Sequence, residues 1–178
     1  MGVAQAGQLT PEKFAEHFRG SSRVLWCIAA AVLGEGARAE DVVQEAAITA
    51  LGKLDSFDPN SNFSAWMGRI VRFTALNHRR KVHRRAQREV DNFDVELAAA
   101  ATAMPTNTFD ERTRAALDSL GEVSRMCLLL KVVIELEYTE IAAVLEIPKG
   151  TAMSHVHRAR KKLRDLLAEE PVRVRGQG

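Results

Sequence analysis

Residues 138–163 constrain the fold of this chain more than any other segment, because their pattern is that of two short helices joined by a tight connection. The apolar positions of the first helix are Ile141, Ala142, Val144 and Leu145, and residues 146–150 form the connection. In the second helix, apolar residues recur at spacings of three and four, which places one stripe on a hydrophobic core. These residues are Val156, Ala159, Leu163 and Leu166. The segment therefore predicts a helix-turn-helix.

The opposite face of the second helix is strongly basic. No carboxylate occurs from residue 147 to residue 164, and the cations of this face are Arg158, Arg160, Lys161, Lys162 and Arg164. A helix of this shape fits the major groove of DNA, and its cations can neutralise phosphates. We therefore expect this helix to bind nucleic acid.

The net charge of the chain is small, but its basic residues are clustered in a few segments. The 178 residues have a formal net charge of only +2 and a hydrophobic content of 46%, which suits one domain or two small ones.

Cys27 and Cys127 lie in apolar helical stretches, so we expect buried thiols rather than a disulfide or a metal pair. No apolar run is as long as a membrane span, and the N-terminus lacks a signal-peptide layout. These features predict a soluble cytoplasmic protein.

Strand signals are almost absent, and helical periodicity predicts an all-α chain of two small helical bundles joined by a linker. Thr10, Pro11 and Glu12 form a helix start, and residues 55–64 form a loop rich in Asp, Asn and Ser. The helix after this loop runs into a basic block at residues 78–85. We expect a first bundle at residues 1–86, a linker at 87–110, a second bundle at 111–170 and a tail at 171–178.

Nothing in the sequence favours catalysis. The chain has no glycine-rich phosphate loop, no cluster of metal ligands and no strand-turn-helix setting for a nucleophile. His155 and His157 lie two residues apart on a predicted helix and so face different sides, which argues against a metal pair. We expect neither an enzyme nor a bound cofactor or metal.

Two blocks of the sequence resemble the extracytoplasmic-function (group 4) sigma factors, the smallest promoter-recognition subunits of bacterial RNA polymerase. The first block, residues 39–46 together with Phe63-Ser-Ala-Trp66, resembles domain two of that family. The second block is the helix-turn-helix of residues 138–163, which resembles domain four. The presence of both blocks in this order and spacing is strongly specific for the family. The resemblance implies a factor without catalytic activity that directs core polymerase to promoters and initiates transcription.

For the first bundle, the resemblance implies a polymerase-binding face on the helix that begins near Glu40. The candidate residues are Asp41, Gln44, Glu45 and Thr49. They would contact the clamp helices of the largest (beta-prime) subunit, and the beta subunit is a further expected partner. Charge complementarity of this kind sets partner choice and association rate more than affinity. The alternative is an ordinary solvated helix face.

The resemblance places recognition of the minus-ten promoter element in the loop and in the helix that follows it. The candidates for a pocket that captures a flipped base are Asn60, Ser61 and Asn62. The candidates on the helix for contact with melting promoter DNA are Arg69, Arg72, Phe73, Arg79 and Arg80. The alternatives are a simple helix connection and a solubilising face. Many relatives have asparagine at the position of Phe73 and aspartate at that of Asn77.

For the second helix of the helix-turn-helix, the resemblance implies reading of the minus-thirty-five element. The residues expected to face base edges are Lys149, Thr151, Ser154 and His155. For Thr151 and Ser154 the alternatives are helix capping and contact with phosphates. Those expected to hold phosphates are Arg158, Arg160, Lys161 and Lys162. Relatives commonly have a basic residue at the position of Met153, arginine at that of His155 and proline at that of Gly121.

Two other functions stay open at this point. A dimeric helix-turn-helix regulator would bind duplex operator DNA without polymerase. A sigma-like protein that sequesters a regulator would work without Arg158 and Arg160. The resemblance also implies that an anti-sigma factor can hold the chain inactive, although no residue identifies one.

Overall fold

The computed structural model describes residues 9–34, 36–90 and 110–168, except for the side chains of residues 83, 85–90 and 111. This part of the chain contains seven α-helices, one short 3₁₀ turn at Leu54–Ser56 and no strand, which confirms the all-α prediction. The helices are α1 (Pro11–Leu33), α2 (Ala39–Leu51), α3 (Phe63–Val90), α4 (Glu111–Asp118), α5 (Glu122–Val132), α6 (Tyr138–Leu145) and α7 (Lys149–Ala168).

Local signals fix where α1 begins and ends. Thr10 caps the helix, because its hydroxyl oxygen accepts a hydrogen bond from the Lys13 amide at 3.4 Å, and Pro11 occupies the first turn. The C-terminal cap is Gly34, whose φ of +80° lies in the left-handed region that favours glycine, and its amide donates to the Ala30 carbonyl. The predicted helix start is confirmed.

The first bundle consists of α1, α2 and α3, and aliphatic side chains from all three helices fill its core. The most deeply buried of them are Leu25, Ile28, Val32, Val42, Met67 and Val71. Trp66 is also buried, with its ring centroid 5.2 Å from that of Phe57. Gly68 lets α3 approach α1 closely, because a Cβ atom there would lie 3.0 Å from the Ile28 Cδ1 atom.

The second bundle consists of α4 to α7 and contains the predicted helix-turn-helix, which is confirmed. α6 begins with a capping box between Glu137 and Glu140, and its C-terminal cap is Glu146 in the left-handed region, with a φ of +54°. α7 begins at Lys149 after the short connection. Its buried residues are Ala152, Val156 and Ala159.

The two bundles pack against each other through α1 with α5 and through α3 with α6. Their buried apolar residues belong to one continuous cluster. At this junction, a Cβ atom on Gly34 would lie 2.9 Å from the Asp118 Oδ1 atom and 3.2 Å from the Arg125 Nη1 atom. The end of α1 therefore lies close to the side chains of Asp118 and Arg125 in the second bundle.

The expected linker falls largely outside the described residues. α3 continues to Val90, past the boundary that the sequence suggested at residue 86, and residues 91–109 and 171–178 are not described. Among the helices that are described, none has both the length and the apolar character needed to cross a membrane.

Both cysteines are buried free thiols, as the sequence predicted. Burial raises the pKa of the Cys27 thiol to about 12 and that of the Cys127 thiol to about 11. Both side chains therefore stay protonated near neutral pH, where the thiol is a poor nucleophile.

We predict that Ile28→Ala lowers the free energy of unfolding by about 2–5 kcal/mol, because it leaves a cavity in the first bundle. The matched control is Ile48→Ala, since Ile28 is 1% exposed and Ile48 is 73% exposed. The control should change stability by less than about 0.5 kcal/mol. Urea unfolding followed by circular dichroism measures both values, and equal losses for the two variants would contradict the described packing.

Candidate nucleic-acid interface

The exposed face of α3 combines arginines with one aromatic ring. Phe73 is 64% exposed, and Arg69, Arg72 and Arg80 are exposed around it. Arg69 lies one helical turn before Phe73 and Arg80 two turns after it, so the three side chains share a face. Bases can stack on an exposed ring while phosphates pair with the cations, which is the combination that single-stranded nucleic acid binding uses.

Three arginines of α3 are ion-paired with carboxylates of the second bundle. Arg72 Nε lies 2.7 Å from Glu122 Oε1, and Arg79 Nη1 lies 3.9 Å from Glu122 Oε2. Arg69 Nη1 lies 3.5 Å from Glu146 Oε2. No local sequence pattern predicts these pairs, because the partners come from another bundle.

The loop before α3 is held by hydrogen bonds that its own side chains make. Asp58 Oδ1 accepts from the Asn60 amide at 2.9 Å, and Ser61 Oγ donates to the Asp58 carbonyl at 2.7 Å. Asn62 caps α3, because its Oδ1 atom accepts from the Ala65 amide at 3.0 Å. Asn60, Ser61 and Asn62 are exposed, so the loop presents fixed polar groups to solvent.

A cavity of about 510 Å³ lies between this loop and α1. Ser61 and Asn62 line it from the loop, and Lys13 and His17 line it from α1. Phe63 also lines the cavity, and the His17 ring stacks on it with the centroids 5.2 Å apart. No sequence pattern singled out Lys13 and His17. Their spacing of four residues places them on one helix face, but no local pattern shows that this face lies opposite the loop.

The four residues predicted to bind polymerase, Asp41, Gln44, Glu45 and Thr49, are all exposed on α2. Glu45 Oε2 lies 2.5 Å from His78 Nε2. No sequence pattern singled out Ile48, an apolar side chain that is 73% exposed among these polar residues of α2.

The start of α7 carries the residues predicted to face base edges. Lys149 and Ser154 are exposed, and Thr151 is half-buried. The Thr151 amide donates to the Pro148 carbonyl at 2.9 Å, so the first turn is closed by the backbone. A shallow depression of about 590 Å³ follows on the same helix, and its lining residues are Tyr138, Met153, Ser154, His157 and Arg158.

His155 is engaged inside the second bundle. Its Nδ1 atom lies 2.8 Å from the Ser124 Oγ atom of α5. Burial, followed by the positive charge of Arg158, lowers the pKa of the His155 imidazole, so the ring is neutral at pH 7. Only its Nε2 atom is left to offer to a base.

The residues predicted to hold phosphates are exposed along α7. Arg158 Nε donates to the Ser154 carbonyl at 3.2 Å, one turn earlier in the same helix. Lys162 Nζ donates to the Ser119 carbonyl at 2.6 Å and so bonds to the end of α4. Arg160 and Lys161 complete the exposed basic surface.

The described residues contain no candidate metal centre. Within residues 9–34, 36–90 and 110–168, no three side chains of His, Cys, Asp or Glu come together in a way that could hold a metal ion.

Two family models match the chain. Residues 18–86 match Sigma-70 region 2, and residues 110–163 match Sigma-70 region 4. The first match spans most of α1 and all of α2, and ends within the basic part of α3. The second match spans α4 to α6 and most of α7. Both matches therefore cover the helices that carry the exposed cations.

Curated relatives and solved structures agree with these matches. The chain is 38% identical over 146 residues to the ECF RNA polymerase sigma factor EcfG of Rhodopseudomonas palustris (strain TIE-1), covering 80% of this chain and 78% of the relative. It is 37% identical over 134 residues to the ECF RNA polymerase sigma-E factor of Escherichia coli (strain K12), covering 69% of this chain and 70% of the relative.

Among solved structures, the chain is similar to the sigma factor RpoE from Bartonella quintana, which was solved in complex with the anti-sigma factor NepR. The TM-score is 0.62 and the identity 26%, and the match covers 90% of this chain and 99% of that one. The structure of CnrH in complex with the cytosolic domain of CnrY is similar with a TM-score of 0.58 and 26% identity, covering 91% and 92%. The matches in both bundles, together with these relatives, show that the chain belongs to the extracytoplasmic-function family of RNA polymerase sigma factors, which act in transcription initiation.

Proposed function

We propose that this sigma factor directs core RNA polymerase to promoters by dividing recognition between its two bundles. The first bundle binds polymerase through α2 and reads the minus-ten element with its loop and α3. The second bundle places α7 on the minus-thirty-five duplex. The observation that carries the proposal is Phe73, 64% exposed among arginines on the helix that follows the loop cavity.

Capture of a minus-ten base rests on the loop cavity. The cavity has room for a nucleobase, and Ser61, Asn62, Lys13 and His17 offer it hydrogen-bonding groups. Extracting a base costs a few kcal/mol, which stacking and contacts to the base edge can offset. The hydrogen bonds that hold Asn60 and Ser61 to Asp58 reduce the entropy that the loop loses on binding.

Melted DNA then follows the outer face of α3. Phe73 supplies a stacking platform, and Arg69, Arg72, Arg79 and Arg80 supply phosphate partners. Arg69, Arg72 and Arg79 are the three that carry ion pairs to the second bundle, so they must exchange carboxylates for phosphates when DNA binds.

In the second bundle, the exposed start of α7 suits a major groove. Lys149, Thr151 and Ser154 face base edges, and His155 contributes through Nε2. Arg158, Arg160, Lys161 and Lys162 hold phosphates and fix the register of the helix on the duplex.

Polymerase binding uses the exposed face of α2. Asp41, Gln44, Glu45 and Thr49 supply charge and hydrogen bonds, and Ile48 supplies the apolar contact that such an interface needs. The expected partner surfaces are on the beta-prime and beta subunits. The chemistry of RNA synthesis belongs to polymerase, and this chain contributes binding energy and position.

An anti-sigma factor is the remaining proposed partner. The two similar solved structures are complexes, one with the anti-sigma factor NepR and one with the cytosolic domain of CnrY. Since the two bundles resemble those chains over most of their length, we propose that a protein of this kind covers the same bundles here.

Run-off transcription with purified core polymerase tests the proposed function directly. We expect promoter-dependent transcripts only when the chain is added, and little binding of the isolated chain to duplex promoter DNA. A genomic library that gives no transcript would contradict the proposal. A dimer that binds duplex DNA tightly without polymerase would favour the operator-binding regulator instead. Function that survives Arg158→Glu with Arg160→Glu would favour the sequestering protein.

We predict that Phe73→Leu weakens open-complex formation by the holoenzyme about 5- to 150-fold, because stacking of one base on an aromatic ring contributes about 1–3 kcal/mol. Phe73→Tyr keeps the ring and should retain most of the wild-type level. Permanganate reactivity of promoter thymines measures the open complex. Equal activity of the Leu and Tyr variants would show that the ring does not stack on a base.

We predict that Asp41→Arg with Glu45→Arg abolishes binding to core polymerase, because the two substitutions reverse the charge of the exposed α2 face. Circular dichroism should show retained helicity, since both side chains are exposed. Glu16→Arg, an exposed acid on α1, is the matched control and should leave binding unchanged. Wild-type affinity of the double variant would remove polymerase binding from this face.

A further inference from the structure

The exposed face at the start of α7 includes one apolar side chain, that of Met153. This side chain is 46% exposed. Every other exposed side chain between residues 149 and 164 is polar or cationic, and no carboxylate occurs from residue 147 to residue 164. Met153 is therefore the side chain of this face that is suited to an apolar contact.

Met153 lines the shallow depression of about 590 Å³ on the helix-turn-helix, together with Tyr138, Ser154, His157 and Arg158. Tyr138 is the first residue of α6, so the depression is formed by both helices of the helix-turn-helix. Met153 and His157 are four residues apart on α7 and share one helix face. The thioether and the tyrosine ring therefore border the same space.

The Tyr138 ring is a fixed wall of this depression. Lys131 Nζ lies 5.1 Å from the ring centroid, a distance at which a cation is attracted to the ring face. The same ammonium group lies 3.1 Å from Glu137 Oε1, which holds it in place. Tyr138 also packs against the hydrophobic core. The ring is thus positioned before any ligand binds.

The rim of the depression is polar and positively charged. Arg158 Nε donates to the Ser154 carbonyl at 3.2 Å, which holds the guanidinium along the helix beside the depression. A cation in this position can meet a DNA phosphate, while the Ser154 hydroxyl and the His157 ring can bond to base edges. An apolar centre inside a basic rim suits the edge of a base pair.

We infer that this depression, here called the methyl seat, accepts the C5-methyl group of a thymine in the major groove. Met153 thereby makes α7 prefer thymine at one position of the duplex. This role rests on the proposed placement of α7 on the minus-thirty-five element. Thymine is the base of unmodified DNA whose major-groove edge carries an apolar group.

The chemistry of Met153 excludes the commonest alternative contact. A thioether has no hydrogen-bond donor, so it cannot bond to O6 and N7 of guanine as arginine or lysine does. Methionine is flexible and polarizable, and its sulfur makes favourable contacts with aromatic rings, so it can adapt to a methyl group beside Tyr138. The shallow shape of the seat admits the edge of a stacked base pair.

The test uses holoenzyme assembled from core polymerase and the full chain. Wild-type holoenzyme first selects duplexes from a pool that is randomised over the minus-thirty-five element. The enriched duplex is then remade with deoxyuracil in place of one thymine at a time, which removes the methyl group alone. We expect about fourfold weaker binding at one position, because burial of one methyl group contributes about that factor.

Substitutions at Met153 assign the methyl effect to the seat. Met153→Ala should bind the thymine and uracil duplexes equally, Met153→Leu should keep the discrimination, and Met153→Arg should enrich guanine at that position. The matched control is Val132→Ala, another exposed apolar side chain of the second bundle at 52% exposure, which should keep the wild-type ratio. Each ratio is taken within one variant, so a general loss of affinity or of folded protein cancels.

An enriched duplex whose thymines all tolerate uracil would overturn the inference, leave the seat to a protein partner and keep the proposed function intact. A methyl effect of unchanged size in Met153→Ala would also overturn it. A pool in which wild-type holoenzyme enriches no sequence would instead overturn the proposed placement of α7 on duplex DNA, and the role of Met153 with it.

Discussion

Burial of apolar surface between α1 and α5 is the constraint on which the rest of the structure depends. α4 and α6 have only eight residues each, too few to persist as isolated helices in water. They are stable because they pack on longer neighbours, and the buried residues of both bundles form one cluster. Packing of the two bundles also brings α5 and α6 beside α3, where Glu122 and Glu146 pair with its arginines.

Helical periodicity lets α3 and α7 serve the core and the surface at once. α3 buries Met67 and Val71 on one side and exposes Phe73 on the other. α7 buries Val156 and exposes Arg158 two positions later. A period of 3.6 residues separates the two sets of side chains, so the exposed residues can change with little effect on packing. The exposed Phe73 ring contributes little to the core, and the proposed function gives it a role in stacking on a base.

Local patterns predicted the features that depend on one helix or on one turn. The helix-turn-helix followed from spacing and capping, and the exposed positions of Asp41 and Arg80 followed from polar faces. Local patterns carry no information on contacts between distant segments. His155 was expected to face base edges, and the structure adds that its Nδ1 atom bonds to Ser124 on α5. His17 lines the loop cavity because tertiary packing places α1 opposite the loop, which no local pattern shows.

The sequence by itself determined that this chain is helical and that it carries two cationic helices, because periodicity and charge are local properties. Its motifs also resemble those of the sigma factors. Only the tertiary structure decided which cations are paired. Glu122 lies 50 residues from Arg72 along the chain, and their bond exists because α1 and α5 share a core. Ion pairing depends on distance in space, and the chain acquires those distances only when its apolar stripes are buried together.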